Sequence, residues 1–549
     1  MIVRLDRCEA ESLQDYPFCI IGAGAAGISL AVALSRRGQR VLLLEAGDSR
    51  ELADLEDSYV GEAAFPHPPT TDYRRQRFGG TTHLWGGRCV PLDDVDFEAR
   101  AHVPHSGWPL EPAEYWRHLP EAMAYCDAGA ADFSVNSLQG EASPMFDGLG
   151  ALAPDVLERI ERYSLPTDFA RKFGPELQAS PLVTVVLRAR CLQLETDAAG
   201  ARITGVVIGD ERQRVSLRAD HVILCGGGLE ATRLLLNTRE RSPAWRRFDA
   251  SLGRYYGCHY DLIFGALSIT GRRPHFKFQK TRDGVYARRK LQFSGDFQRR
   301  HGLLNSTFRL HFPPYADAAH GSGVLSMIYL AKSVLPGEYQ AILNHGHGGE
   351  ALAAGRGAHV RNVITDAPSV LGFGFEWLFK RKLAARKLPY TLIPNRQGTY
   401  PLEFNSEQVP DASNRVELAE GTDAAGERRL AVHWRLTSLD VESGVESFLR
   451  LREKLAETPG CRLDFDLAEL RERVGSALPV GGHHIGSTRM GRSVEESVVD
   501  PQCRVHGVDN LFVVSSSVFP TNGHANPTLS IVALALRMAE HLHQRNQNV

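Results

Sequence analysis

One strand-turn-helix near the N-terminus leaves this chain little choice of architecture. A short apolar run, Phe18-Cys19-Ile20-Ile21, passes directly into Gly22-Ala23-Gly24-Ala25-Ala26-Gly27, and a helical pattern follows from Ile28 to Arg37. A second apolar run, Val41 to Leu44, ends on Glu45, eighteen residues after the last glycine. Glycines at this spacing let the backbone turn tightly, approach a pyrophosphate at the helix N-terminus and pack helix on strand, while an acid at that distance can accept ribose hydroxyls. A glycine-rich turn alone is weak evidence for a ligand; strand, helix, second strand and acid in this order predict a dinucleotide-binding βαβ unit, and with it a parallel sheet.

Further along, polar and Pro-rich residues 46–76 read as a long connection leading to Arg77-Phe78-Gly79-Gly80-Thr81-Thr82-His83-Leu84-Trp85-Gly86-Gly87-Arg88. Four glycines around one Trp suit close backbone approach to a flat ligand, and equally an irregular loop that needs positive φ. Val183 to Leu187 is strand-like, Ile203 to Ile208 and Val215 to Leu217 form a hairpin pair, and His221 to Cys225 enters Gly226-Gly227-Gly228 and a helix over Leu229 to Asn237. Beyond Tyr255, alternating segments at Leu303 to Phe312, Val324 to Leu330 and Leu430 to Leu436 predict an antiparallel sheet with helices on one face. Phe373 to Leu388 joins Phe373, Phe375, Trp377, Leu378 and Phe379 to a basic run ending near Lys387; it reads first as a buried amphipathic helix with a solvated basic end, and otherwise as a peripheral membrane contact.

The C-terminal stretch sets two polar side chains, His483 and Asn526, on glycine-rich turns around an apolar strand, Leu511 to Val514. Pro527-Thr528 opens the apolar run to Leu542 with Pro at the first helical position, so a helix N-terminus lies beside Asn526 and favours negative charge there. The formal net charge of −2 over 549 residues offers no basic field for nucleic acid. Nine cysteines stand singly, as reduced thiols of a cytoplasmic protein do, and neither a signal peptide nor an apolar run of membrane-spanning length is present. No set of residues has the spacing of a metal site.

Gly22 to Glu45, Gly79-Gly80…Trp85-Gly86-Gly87, Ser106-Gly107-Trp108-Pro109, Gly226 to Leu236 and the pair His483…Asn526-Pro527-Thr528 together resemble the glucose–methanol–choline (GMC) family of FAD-dependent alcohol oxidoreductases. The ending Thr488-x-Met490-Gly491…Ala525-Asn526-Pro527-Thr528 is most similar to its pyranose oxidase and bacterial sugar and polyol dehydrogenase branch. The resemblance implies an α/β fold: a Rossmann-like FAD domain over 1–255 with insertions at about 46–180, an α+β substrate domain on an antiparallel sheet over most of 256–479, and a return at 480–549 carrying the catalytic pair. It implies FAD contacts at Gly22, Ala23, Gly24, Ala25, Ala26, Gly27, Glu45, Ala46, Gly79, Gly80, Thr81, Trp85, Gly86, Cys191, Gly226, Ser516, Pro527 and Thr528.

His483 is the implied general base and Asn526 its partner, with His484 the adjacent competitor; His524 and His506 are assigned structural places. The implied reaction is oxidation of an alcohol to a carbonyl by hydride transfer to flavin N5, with electrons passed to oxygen, a quinone or another acceptor. A sugar, glycoside or cyclic polyol is the implied substrate. Sterol or long-chain alcohols, a redox-silent hydroxynitrile-lyase-like reaction and a nicotinamide-dependent dehydrogenase are the competing readings. Branch members that attach FAD covalently carry a His directly before the loop Trp. Leu84 stands there, and an extended backbone would turn His83 to the other face, so FAD is expected to be non-covalent.

Overall fold

The computed structural model describes residues 1–547 apart from 54, 141–142, 211–212, 333–354 and 394–397. Six strands lie parallel in the order Ile2–Arg4, Val183–Leu187, Val41–Leu44, Tyr16–Ile21, Ala219–Leu224, Leu511–Val513. Phe18, Cys19 and Ile20 are wholly buried on both pleat faces, as a covered parallel sheet requires. Helix Ala25–Arg36 packs on the sheet and on the C-terminal helix Pro527–Gln547, which also packs on Pro112–Tyr125. Three adjacent strands end side by side, so the turns leaving them at Gly22, Cys225 and Val514 converge. At Gly22 (φ +102°) a Cβ would lie 2.7 Å from Gly226 Cα, so close approach as well as backbone conformation demands glycine.

A second sheet is antiparallel at every pairing and runs Cys461–Asp464, Tyr260–Ile269, Thr399–Ser406, Ser306–Leu310, Tyr286–Phe293, Val156–Tyr163, Arg88–Cys89. Its last two strands come from the 46–180 stretch. Leu262, Phe404, Phe308 and Leu291 are cross-strand neighbours on one face, where Phe404 and Phe308 meet Phe448 of helix Ser438–Ala456. The other face carries Asn405, Thr307 and Gln292 and, two residues along each strand, Glu403, Arg309 and Lys290, all but the partly exposed Glu403 buried. Arg309 bridges Glu161 (2.6 Å) and Glu403 (2.7 Å), which pairing buried charge requires.

Three expectations are corrected. Val324 to Leu330 is not a strand: Gly323–Ala331 is a helix whose N-cap Ser322 accepts the Leu325 N–H, and Val324, Leu325, Ile328 and Tyr329 pack into one cluster at helical spacing. The strand expected at Leu430 to Leu436 exists as Arg428–His433, but it joins Arg415–Thr422 and Glu62–Ala63 in a separate three-stranded sheet. The stretch from Phe373 is no buried helix: Ala367–Glu376 continues into a π-helical turn, Trp377–Lys382, and neither has a buried residue.

Candidate active site

A cavity opens where the parallel strands end. Three helix N-termini line it, at Ala25, Gly227–Gly228 and Pro527–Thr528, and the first two have no side-chain cap, so free backbone N–H groups face the space. Gly24 has no atom within 4 Å of where a Cβ would sit. Glu45 lines the same cavity; its Oε2 accepts the Ala23 N–H (2.9 Å) and its Oε1 the Gly47 N–H (2.8 Å). Burial pushes its carboxyl up to about 7 despite those two donors.

Of the residues expected at the cofactor, Gly22, Ala23, Gly24, Ala25, Ala26, Glu45, Ala46, Gly80, Thr81, Trp85, Cys191, Gly226, Ser516, Pro527 and Thr528 line this cavity. Gly27, Gly79 and Gly86 do not. A Cβ on Gly27 would fall 1.9 Å from the Gly22 carbonyl oxygen, so its part is to seat helix on strand. Gly79 (φ +95°) donates its N–H to the Ala23 carbonyl (2.9 Å), tying the two glycine loops together, and Gly86 is exposed. Lining residues that the motifs did not point to include Tyr59, Arg190, Asn237 and Arg74, whose guanidinium stacks 3.8 Å from the Tyr59 ring centroid and pairs with Glu230 at 2.7 Å.

His483 and Asn526 meet at one end: Asn526 Nδ2 lies 3.1 Å from His483 Nε2. The direction of every bond around them follows from the chain's two ends. Arg88 Nε can only donate, and it sits 2.5 Å from Asn526 Oδ1, so the Asn526 amide nitrogen is what faces His483. At the far end the Asn522 carbonyl can only accept, so His259 carries its proton on Nε2 (3.2 Å). His259 Nδ1 is then an acceptor, and His483 Nδ1, 2.7 Å away, is the donor. His483 Nε2 therefore carries no proton and accepts from the Asn526 amide. Burial holds the His483 imidazole well below its ordinary pKa, reinforced by His259 and the Arg88 guanidinium, and burial takes His259 down to about 4. Neither His259 nor Arg88 was singled out from the sequence as part of this site.

His484 faces elsewhere. His67 gives its Nδ1 proton to the Pro68 carbonyl (2.7 Å), so the Tyr256 hydroxyl donates to His67 Nε2 (2.9 Å) and accepts from His484 Nδ1 (2.8 Å). His67, Cys258 and His484 hold ligand atoms within 4.8 Å of one another, and the phenol oxygen they share fills the space a cation would need. His484 Nε2 also carries no proton and, unlike His483 Nε2, has no hydrogen-bond partner. His524 is buried with Lys290 Nζ at 3.0 Å and Asp93 Oδ2 at 3.1 Å, where the polar face of the antiparallel sheet meets this loop. His83 is in a 3-10 turn, Gly80–His83, rather than the extended backbone expected; its Nδ1 donates to the Gly80 carbonyl (2.8 Å), Nε2 lies 3.6 Å from Glu51, and the ring is not in the cavity wall.

Comparison with known proteins matches residues 410–535 to the C-terminal GMC oxidoreductase model and residues 18–127 to an FAD-dependent oxidoreductase model. Dehydrogenase str4 of Strobilurus tenacellus is 46% identical, covering 97% of this chain and 94% of its own. The chain belongs to the GMC oxidoreductase family. Similarity extends to 6'''-hydroxyparomomycin C oxidase of Streptomyces lividus, 25% identical over 96% of this chain and 92% of its own. Among solved structures, pyridoxine 4-oxidase from Mesorbium loti shares the fold at a TM-score of 0.51 and 16% identity, covering 96% and 99% of the two chains. This GMC protein is an FAD-dependent oxidoreductase acting on alcohols. Its residues fit that cofactor: uncapped helix ends for a pyrophosphate, open space over Gly24, and a buried carboxylate at Glu45 with lone pairs to spare.

Proposed function

We propose that His483 takes the hydroxyl proton of a polar, polyhydroxylated alcohol such as a sugar, glycoside or cyclic polyol, with Asn526 holding the same oxygen. The observation that carries this reading is the directed chain from Arg88 through Asn526, His483 and His259 to the Asn522 carbonyl, which leaves His483 Nε2 unprotonated. A buried neutral imidazole whose other nitrogen donates to a fixed acceptor can receive a proton at Nε2 without changing tautomer. Bound FAD supplies the hydride acceptor at the reacting carbon. Pro527–Thr528, at a helix N-terminus on the cavity wall, stabilises negative charge that develops there.

A polar substrate is supported by the sheet face that meets this loop. Asn405 and Thr307 are buried cross-strand neighbours whose side-chain polar atoms have no partner among the described residues, and Lys290 stands on the same face. Polar side chains on the face nearest the site suit hydroxyl groups better than a hydrocarbon chain. Relatives named as paromamine 6'-oxidase and C-glycoside 3-oxidase, 23% and 36% identical over 95% and 21% of this chain, point the same way. The test is anaerobic bleaching of the yellow enzyme by a panel of sugars, glycosides, cyclitols, sterols and long-chain alcohols, followed by reoxidation with oxygen or a quinone. Bleaching by sterols or fatty alcohols alone would overturn the substrate class, and colour unchanged by any alcohol would leave the lyase reading ahead.

The nine cysteines are all unpaired, which fits a reducing cytoplasm. No helix among the described residues is long and apolar enough to cross a membrane. FAD is held without a covalent bond in this reading, because Leu84 is exposed and His83 is engaged with the Gly80 carbonyl. Acid precipitation should leave the yellow colour in the supernatant; colour in the pellet would mean a side chain is attached.

A further inference from the structure

Residues 355–390 leave the antiparallel sheet between two of its adjacent strands, Ser306–Leu310 and Thr399–Ser406. They are anchored at the far end, where Leu388 is buried with Tyr163 and Tyr286 and the Tyr390 hydroxyl accepts from Arg288 (2.6 Å). What precedes that anchor is apolar and outward-facing. Leu371, Phe375 and Phe379 are 67%, 64% and 56% exposed, joined by Trp377, Leu378 and Leu383, and by Ile364 (70%) on the preceding helix Arg356–Thr365. Phe375 and Phe379 stack at 6.0 Å with rings 6° from parallel, so these two rings share one helix side. No described residue covers them. A contiguous exposed apolar patch of this kind marks an interaction surface.

Charge identifies the partner. The chain's formal net charge is −2, yet 355–390 holds seven Lys or Arg against two acids. Asp366 is buried against the Gly323 N–H and Glu376 is paired with Lys380 at 2.9 Å, which leaves a formal excess of five positive charges. Lys382, Lys387, Arg356 and Arg361 are exposed, and Lys382 Nζ lies 5.0 Å from the Trp377 ring centroid. Aromatic and aliphatic side chains interleaved with long cations suit the headgroup and acyl boundary of an anionic bilayer, where rings sink and amines reach phosphates. A second copy of this chain suits it poorly, since a two-fold contact would set these cations against themselves.

The geometry points to Ala367–Lys387 as a monotopic docking surface for an anionic membrane. The FAD-loaded protein should float with phosphatidylcholine vesicles containing about one third phosphatidylglycerol and remain behind with phosphatidylcholine alone. Lys382→Gln with Lys387→Gln should weaken partitioning about thirtyfold, at roughly fivefold per lysine near such a surface. Phe375→Ser with Phe379→Ser should abolish it while FAD content stays normal, because these rings support nothing inside the fold. Equal binding to both vesicle types, or none to either, would overturn the proposal. A dimer in vesicle-free sedimentation that Phe375→Ser with Phe379→Ser dissolves would also overturn it, assigning the face to a second copy.

Discussion

His483→Ala is expected to slow anaerobic flavin reduction by roughly 10²–10⁴-fold, the range that removal of a general base produces, with FAD content unchanged. The retained cofactor is part of the expectation: His483 is one wall residue among many, and the three helix ends and Glu45 remain. His484→Ala is the sharp control, because His484 also has an unprotonated Nε2 and is buried equally, both residues being 8% exposed. It differs in its neighbours, sharing the Tyr256 hydroxyl with His67 and Cys258 instead of facing Asn526. Reduction should stay within a few fold of wild type in His484→Ala. The reverse result would transfer the base to His484, and normal rates in both variants would remove the proton-transfer role from either ring.

Asn526→Asp should also be poor, through a different group. A carboxylate there cannot donate to His483 Nε2, and its charge would favour imidazolium on His483, occupying the lone pair that takes the substrate proton. Raising pH should therefore recover part of the rate in Asn526→Asp. In wild type burial holds the His483 pKa well below the ordinary imidazole value, so the rate per bound flavin should be flat between about pH 6 and pH 8.

What the sequence disclosed was what is local. Gly22 to Glu45 lies within one βαβ unit, so spacing alone could be matched to the ligand geometry it serves. Pro527 marked a helix start because a single residue type suffices to mark one. His259 and Arg88 went unnoticed because their contacts with His483 and Asn526 span 224 and 438 residues, and nothing beside either residue announces a partner. Val324 to Leu330 misled because a seven-residue apolar run fits both periods, and Ser322, the cap that decides for helix, lies outside the run. Phe373 to Leu388 was periodic enough to read as amphipathic, but whether an apolar stripe is covered depends on what the rest of the chain packs against it.

Glu45→Lys is expected to fold with little or no FAD, its loss showing in occupancy more than in the rate per bound flavin. In the native protein the Glu45 carboxylate gathers the Ala23 and Gly47 N–H groups at the cavity wall, and each would lose its partner at a cost of about 1–3 kcal/mol. An ammonium in its place offers only donors to a ribose that also needs an acceptor. The same carboxyl predicts a pH dependence. Burial raises it to about 7 in the ligand-free protein, so below that pH it is largely protonated, and ionising it costs folded-state stability as pH rises through 7. Ribose hydroxyls donate to the carboxylate form, so binding FAD must release that proton. Apparent affinity should rise by up to tenfold per pH unit as pH approaches 7 from below and level off above it. Glu45→Gln, which cannot ionise, should bind FAD more weakly and with no such slope. Full FAD content in Glu45→Lys, or a Glu45→Gln protein that keeps the wild-type slope, would take the ribose away from this residue.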